Sequence, residues 1–146
     1  MRKLLLALTL LFSVLSLGQI QKIETQIPSL TTKVAPMGVY CASAEFYEDG
    51  VEVTFQDAEF TKVTALRRFK LTSDDFNSLG KLLTSNENKV DDFYTLKTLD
   101  GKSLTFKFSK MMGIIYPIII LQDGVVTYRF PNLNPKQFKK LFNIKE

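Results

Sequence analysis

The chain has 146 residues, a formal net charge of +4, one cysteine and no histidine. The lack of histidine excludes Ser-His-Asp and Cys-His catalytic systems and histidine-bound metals, and a single cysteine excludes thiolate zinc sites, redox pairs and an internal disulfide. The hydrophobic content of 45% is ordinary for a globular protein, so we expect one folded domain with an apolar core.

Residues 1–18 have the plan of a secretory signal peptide. Two basic residues are followed by an apolar stretch over residues 4–15, and small residues then precede a predicted cleavage between Gly18 and Gln19. Small residues followed directly by glutamine resemble bacterial export signals. The alternative, an uncleaved anchor, is disfavoured because the apolar stretch is shorter than the about 20 residues that span a bilayer. We therefore expect a secreted or periplasmic protein with no transmembrane segment after cleavage.

Cleavage would also change the charge of the chain. It removes two basic residues and lowers the net charge from +4 to +2, so the basic character of the whole sequence is poor evidence for nucleic-acid binding. The roughly 128 residues that remain are enough for one domain and too few for two. We expect residues 38–146 to form a single α+β domain. A lead-in segment at 19–37 precedes it, and its spacing permits either a short helix or an extended chain.

The clearest local signal in the domain is a hairpin. Asp49 and Gly50 are the pair favoured in tight type I′ turns, and alternating apolar residues flank them on both sides. A two-residue turn at this pair places Phe46 opposite Val53 and gives the hairpin one continuous apolar face. A third strand is predicted at 62–71.

Two helices are predicted from their start signals. In the first, Thr72 is the cap, with Leu71 and Phe76 on either side of it as a hydrophobic staple. In the second, Asn134 is the cap and Pro135 takes the first helical position. Both follow the template Leu, cap, three residues, Phe, two residues, Leu. Either an old duplication or the same helix-start chemistry used twice would produce this template, and the second explanation is preferred.

Two more hairpins are predicted between the helices. In the first, a two-residue turn at Asp100 and Gly101 would place Leu96 opposite a threonine, whereas a longer, bulged turn over residues 100–102 pairs it with Phe106. The second hairpin turns at the next Asp-Gly pair. The complete order is βββα-ββββα, which predicts an α+β fold with a single antiparallel sheet of about six or seven strands and two helices packed on one face.

One predicted strand, Ile114–Leu121, is apolar on both faces and contains Pro117. Proline cannot donate to a strand ladder, so it indicates an edge strand or a bulge. Either the chain's own helix and lead-in segment cover the two faces, which is the preferred explanation, or a partner, ligand or second subunit covers one of them. The lysines of the last helix form either a solvated face or a contact for an acidic surface. The candidate interaction surface therefore comprises Ile115, Pro117, Ile119, Lys136, Lys139 and Lys140.

The remaining residues offer little chemistry. The adjacent carboxylates of the chain fall at a helix start, a loop and a hairpin turn, and neighbours on a strand point to opposite faces, which is wrong for an acid–base pair. No glycine-rich loop precedes a helix, so no phosphate cradle is encoded, and no segment matches a calcium loop. We therefore predict no catalytic, cofactor-binding or metal-binding residues.

These observations predict an exported, non-enzymatic binding or accessory protein that acts through protein contacts in the cell envelope or outside the cell. The alternative is a carrier of a small apolar ligand or lipid, held between sheet and helices near Ile114–Leu121. The expected partner is thus an unknown protein or a small apolar ligand and not nucleic acid, and a homo-oligomer is compatible with the pattern.

Overall fold

The structure, a computed structural model, describes residues 25–59 and 65–145. The predicted signal peptide and its cleavage site lie outside the described residues. Within the described ranges the elements follow the order ββββα-ββββα. The strands are β1 (Leu30–Val34), β2 (Ala42–Tyr47), β3 (Gly50–Gln56), β4 (Leu66–Leu71), β5 (Phe93–Lys97), β6 (Ser103–Met111), β7 (Ile114–Asp123) and β8 (Val126–Arg129), and the helices are α1 (Ser73–Thr84) and α2 (Pro135–Leu141).

The predicted single sheet of six or seven strands is wrong, because the strands form two separate antiparallel sheets of four. One has the order β1-β2-β3-β4 and the other β5-β6-β7-β8. The second sheet does not extend the first because the turn between β5 and β6 lies along the outer edge of β4. There the Leu99 N–H donates to the Lys70 carbonyl oxygen at 2.7 Å, and Lys102 Nζ donates to the Arg68 carbonyl oxygen at 2.8 Å. These bonds occupy positions that a fifth strand would need.

The lead-in segment supplies the strand that the prediction lacked. From residue 30 it is extended as β1 and pairs with β2, with Thr32 opposite Ala44. The Thr32 Oγ1 also donates to the Leu141 carbonyl oxygen at the end of α2, at 2.6 Å. From residue 30 the lead-in therefore belongs to the first sheet, and the predicted cover of one face of β7 by this segment is not seen among its described residues.

The register of the first hairpin differs from the prediction by two residues. Phe46 pairs with Val51 instead of Val53, and Glu48 and Asp49 form the turn. A shift of two residues keeps each side chain on its predicted face, because side chains alternate along a strand. The predicted apolar face is accordingly buried.

The second hairpin shows the same displacement. Leu96 pairs with Leu104 instead of Phe106. The turn is longer than two residues, as predicted, and is closed by Thr98, whose N–H and Oγ1 both donate to the Lys102 carbonyl oxygen.

Both predicted helix starts are confirmed. Thr72 accepts the N–H of Asp75 at 3.0 Å. Asn134 and Gln137 form a complete capping box, with hydrogen bonds of 2.9 and 2.8 Å. The acceptors satisfy N–H groups that have no partner within the helix, which explains why each helix begins where the sequence predicts.

One hydrophobic core joins the two sheets and the two helices. Across the sheets, the rings of Phe55 and Phe130 lie 4.9 Å apart, and between the helices, those of Phe76 and Phe142 lie 4.5 Å apart. The core contains residues from the inner faces of β1, β2, β3, β4, β6 and β7, and from the buried sides of α1 and α2. The α+β class with antiparallel sheets is therefore confirmed, although the number of sheets is not.

The two halves of the chain share one plan. With β1 included, each half is four consecutive antiparallel strands followed by a helix. Gly80 and Phe142 hold the same position in the shared helix template and contact each other, since a Cβ added to Gly80 would lie 2.8 Å from Phe142 side-chain atoms. Contact between equivalent positions is expected near a twofold axis. The complete repeat favours an old duplication over the explanation preferred from sequence.

A buried carboxylate links the two sheets through hydrogen bonds. Asp57, directly after β3, is 1% exposed. Its Oδ1 accepts the N–H of Arg129 in β8 at 3.3 Å and that of Glu59 at 3.1 Å, and its Oδ2 lies 3.9 Å from Arg67 Nε. The adjacent Ala58 N–H donates to the Arg129 carbonyl oxygen at 2.9 Å. The link therefore combines backbone and side-chain bonds.

We expect Asp57→Ala to lower the free energy of unfolding by about 3 kcal/mol, because it leaves two backbone N–H groups without their acceptor and removes the carboxylate that lies 3.9 Å from the Arg67 guanidinium. Urea unfolding measures the change. Asp49→Ala is the control, because Asp49 is an exposed carboxylate paired with Lys70 at 2.6 Å, and exposed pairs contribute little. Equal stabilities of the two variants would contradict a structural role for Asp57.

Candidate functional site

A cleft of about 610 Å³ opens between the first half of β7, the end of α1 and the start of α2. This volume lies in the range of small-molecule sites. We call it the apolar cleft. Its lining consists of Phe108, Met111, Met112 and Ile114–Pro117 from the β6–β7 hairpin, Leu83–Asn86 and Asn88 from the end of α1 and the loop after it, and Asn132–Pro135 and Phe138 around the start of α2.

The hairpin wall of the cleft is built around a tight turn. Met111 pairs with Ile114, so Met112 and Gly113 form a two-residue turn, with φ angles of 51° and 84°. Two positive φ angles are the mark of a type I′ turn. The sequence prediction missed this turn because methionine is not one of the residues that usually occupy its first position, although the following glycine was a usable signal.

The wall exists because the β6–β7 hairpin is longer than its counterpart in the first half of the chain. β6 and β7 have 9 and 10 residues, whereas β2 and β3 have 6 and 7. The tip of the shorter hairpin is formed by Glu48 and Asp49, and that of the longer one by Met112 and Gly113. The second half therefore has an apolar extension where the first half has a charged turn.

Pro117 lies in the part of β7 that has a free edge. β8 pairs only with residues Ile120–Asp123 of β7, so Pro117 has β6 on one side, where it faces Phe108, and no paired strand on the other. The missing proline N–H thus costs no ladder hydrogen bond. β7 is an interior strand along one half of its length and an edge strand along the half that lines the cleft.

The structure brings only two of the six predicted surface residues together at the cleft. Ile115 and Pro117 line it. Ile119 is 5% exposed and lies in the core. On α2, Lys136 and Lys140 are exposed and Lys139 is half-buried, and none of the three lines the cleft.

The lining of the cleft is mostly apolar, and its polar side chains come mainly from the loops that follow α1 and precede α2. Among the described residues that line it, none is charged. Two of its four asparagines form hydrogen bonds with the helix ends. Asn88 Nδ2 donates to the Leu82 carbonyl oxygen at 2.7 Å, and Asn134 caps α2. The amides of Asn86 and Asn132 are exposed and form no hydrogen bond with the described part of the chain.

Much of the hairpin wall is exposed to solvent. Met112 is 96% exposed, Ile114 64% and Ile115 39%. Covering apolar surface yields about 25 cal/mol per Å², so an apolar molecule in the cleft would gain free energy from the same side chains that are unfavourably exposed without it.

The groups with shifted pKa values lie away from the cleft. Burial raises the pKa of the Cys41 thiol in the loop before β2, which lowers the thiolate fraction and makes it a poorer nucleophile. A hydrogen bond to Glu45 raises the pKa of Tyr47 to about 12. In residues 25–59 and 65–145, no three Cys, Asp or Glu side chains are placed to hold a metal ion.

None of the helices described is both long and apolar enough to cross a lipid bilayer. Comparison of the chain with protein-family models, with curated proteins and with solved structures finds no match. The geometry of the cleft is therefore the main structural indication of function.

Proposed function

We propose that the protein is an exported, non-enzymatic binding protein that holds a small apolar ligand in the apolar cleft. The observation that carries the proposal is the convergence of exposed apolar side chains on one concave space of about 610 Å³ with no charged lining among the described residues. Export forms part of the proposal through the sequence of residues 1–18. The cleft favours a small ligand over the protein contacts first expected from sequence, because the exposed apolar groups line a concave space instead of a flat surface.

Two isoleucines of β7 allow a matched test. Ile115 lines the cleft and is 39% exposed, whereas Ile120 is 36% exposed and does not line it. The two are an odd number of residues apart and therefore point to opposite faces of the strand. The same substitution at both positions changes the same chemistry at nearly the same exposure, and only one of the changes reaches the cleft.

We expect Ile115→Asp to weaken binding of the hydrocarbon fluorophore diphenylhexatriene at least tenfold, since a carboxylate in the cleft must lose water when the probe enters. Ile120→Asp should bind the probe as the unaltered protein does. Fluorescence titration of the secreted protein gives the dissociation constants, and melting curves of both variants show that the fold is retained. Absence of saturable binding, or equal loss in both variants, would overturn the proposal.

A further inference from the structure

The charged residues near the apolar cleft are not part of its lining. Lys110 precedes the lining residue Met111, and Lys136 follows the lining residue Pro135, yet neither lines the cleft and both are exposed. Glu87 lies between two lining residues of the loop after α1 and is exposed as well. The interior of the cleft thus has no opposite charge, among the described residues, to offer to an ionised ligand.

An ionised group placed inside would lose its hydration without gaining a partner. Transfer of a charge into an apolar environment is far more costly than transfer of a neutral hydroxyl or amide, and buried charges in proteins are consequently paired. The cost applies to a fatty-acid carboxylate and to an alkylammonium alike. The cost of desolvation therefore weakens the binding of both kinds of ion in the cleft, relative to a neutral molecule of the same chain length.

The loops of the cleft do offer neutral hydrogen-bonding groups. Asn86 comes from the loop after α1 and Asn132 from the loop before α2, and both side-chain amides lack a hydrogen bond within the described chain. A carboxamide presents both a carbonyl acceptor and N–H donors. It can therefore pair with a hydroxyl or an amide in either direction without requiring charge.

The hairpin wall is suited to a flexible chain. Met111 and Met112 are unbranched and polarisable, and methionine is used at binding surfaces that adapt to differently shaped partners. The cleft floor adds the rings of Phe108 and Phe138. Such a lining does not select a ligand with one rigid ring shape, and it can accommodate a flexible aliphatic chain.

From these observations we infer that the ligand of the apolar cleft is an electrically neutral amphiphile, an aliphatic chain that carries a hydroxyl or amide group, and not a fatty-acid anion. The chain lies against the methionine and phenylalanine side chains, and the polar group meets the amides of Asn86 and Asn132. The inference rests on the proposed function, since it names the class of ligand for the same site.

Displacement of bound diphenylhexatriene by three compounds of equal chain length tests the inference. At about pH 8 decanol is neutral, decanoate is an anion and decyltrimethylammonium is a cation. We expect decanol to displace the probe at a concentration at least tenfold lower than either ion requires. Displacement by decanoate at the same concentration as decanol, or at a lower one, would overturn the inference.

Two variants separate the amides from the nearby basic residue. Asn132→Leu should weaken decanol binding several-fold relative to that of diphenylhexatriene, because decanol loses a hydrogen-bond partner and the probe has no polar atom to lose one. Lys136→Gln should leave the affinities for decanol and decanoate unchanged, and a loss of decanoate binding in this variant would show instead that the lysine holds an anionic head group. If diphenylhexatriene itself does not bind, the proposed function fails; if it binds and the ions compete as well as decanol, only the neutral ligand class fails.

Discussion

An Ile119→Asp protein should be largely unfolded at room temperature. Ile119 is 5% exposed, pairs with Phe106 in β6, and its carbonyl oxygen accepts the Phe130 N–H at 2.9 Å. The substitution removes an apolar side chain worth about 1.5–3 kcal/mol and buries a carboxylate without a partner at a cost of several kcal/mol more. The two losses together are comparable with the total stability of a small domain, about 5–15 kcal/mol.

Circular dichroism and urea unfolding measure this loss, and Ile115→Asp is its control. Ile115 lies on the same face of β7 four residues earlier, but it is 39% exposed at the mouth of the cleft, so the new carboxylate keeps its water. Its melting temperature should stay within a few degrees of that of the unaltered protein. A cooperative transition of Ile119→Asp at the normal temperature would show that this part of β7 is not core.

Gly50→Ala should also be severely destabilising, by about 3–5 kcal/mol. Gly50 opens β3 with a φ of +144°, which side-chain-bearing residues rarely adopt, and an added Cβ would lie 2.4 Å from the carbonyl oxygen of Leu71 at the end of β4. That oxygen belongs to the backbone of a paired strand and cannot swing aside. The close approach of the two strands therefore requires a glycine here, in addition to the requirement set by its positive φ.

Gly101→Ala is the control that separates the loss of stability caused by the steric clash from the loss caused by backbone strain. Gly101 also has a positive φ, +79°, but nothing lies within 4 Å of the position of its added Cβ. The Gly101→Ala protein should lose about 1–2 kcal/mol of stability, which comes from backbone strain alone. Urea unfolding of both variants gives the difference, and an equal loss at Gly50 and Gly101 would exclude the close approach as the cause.

The sequence predicted those features that depend on neighbouring residues. The caps at Thr72 and Asn134 were identified correctly because a cap bonds to an N–H three residues away. Strand faces were also correct. The registers of the hairpins were wrong by two residues because a shift of two leaves every side chain on the same face. The pattern of apolar residues therefore cannot distinguish the two registers.

Features that depend on distant residues were not predictable in the same way. The division into two sheets is decided at the edge of β4, where Leu99 bonds to Lys70 across 29 residues. The apolar cleft needs the ends of both helices and the tip of a hairpin at one place. The sequence nevertheless indicated one of its walls, because Ile114–Leu121 is apolar on both faces and the structure leaves part of that strand uncovered.

The bond from Thr32 to Leu141 has a consequence for the order in which the chain can fold. It joins β1 to the end of α2 across 109 residues, so the first strand reaches its final surroundings only after the last helix has been synthesised. Folds that depend on such distant pairings fold slowly. For a protein exported as proposed, a slow approach to the native state would keep the chain unfolded, and hence able to pass through a translocation channel, until synthesis is nearly complete.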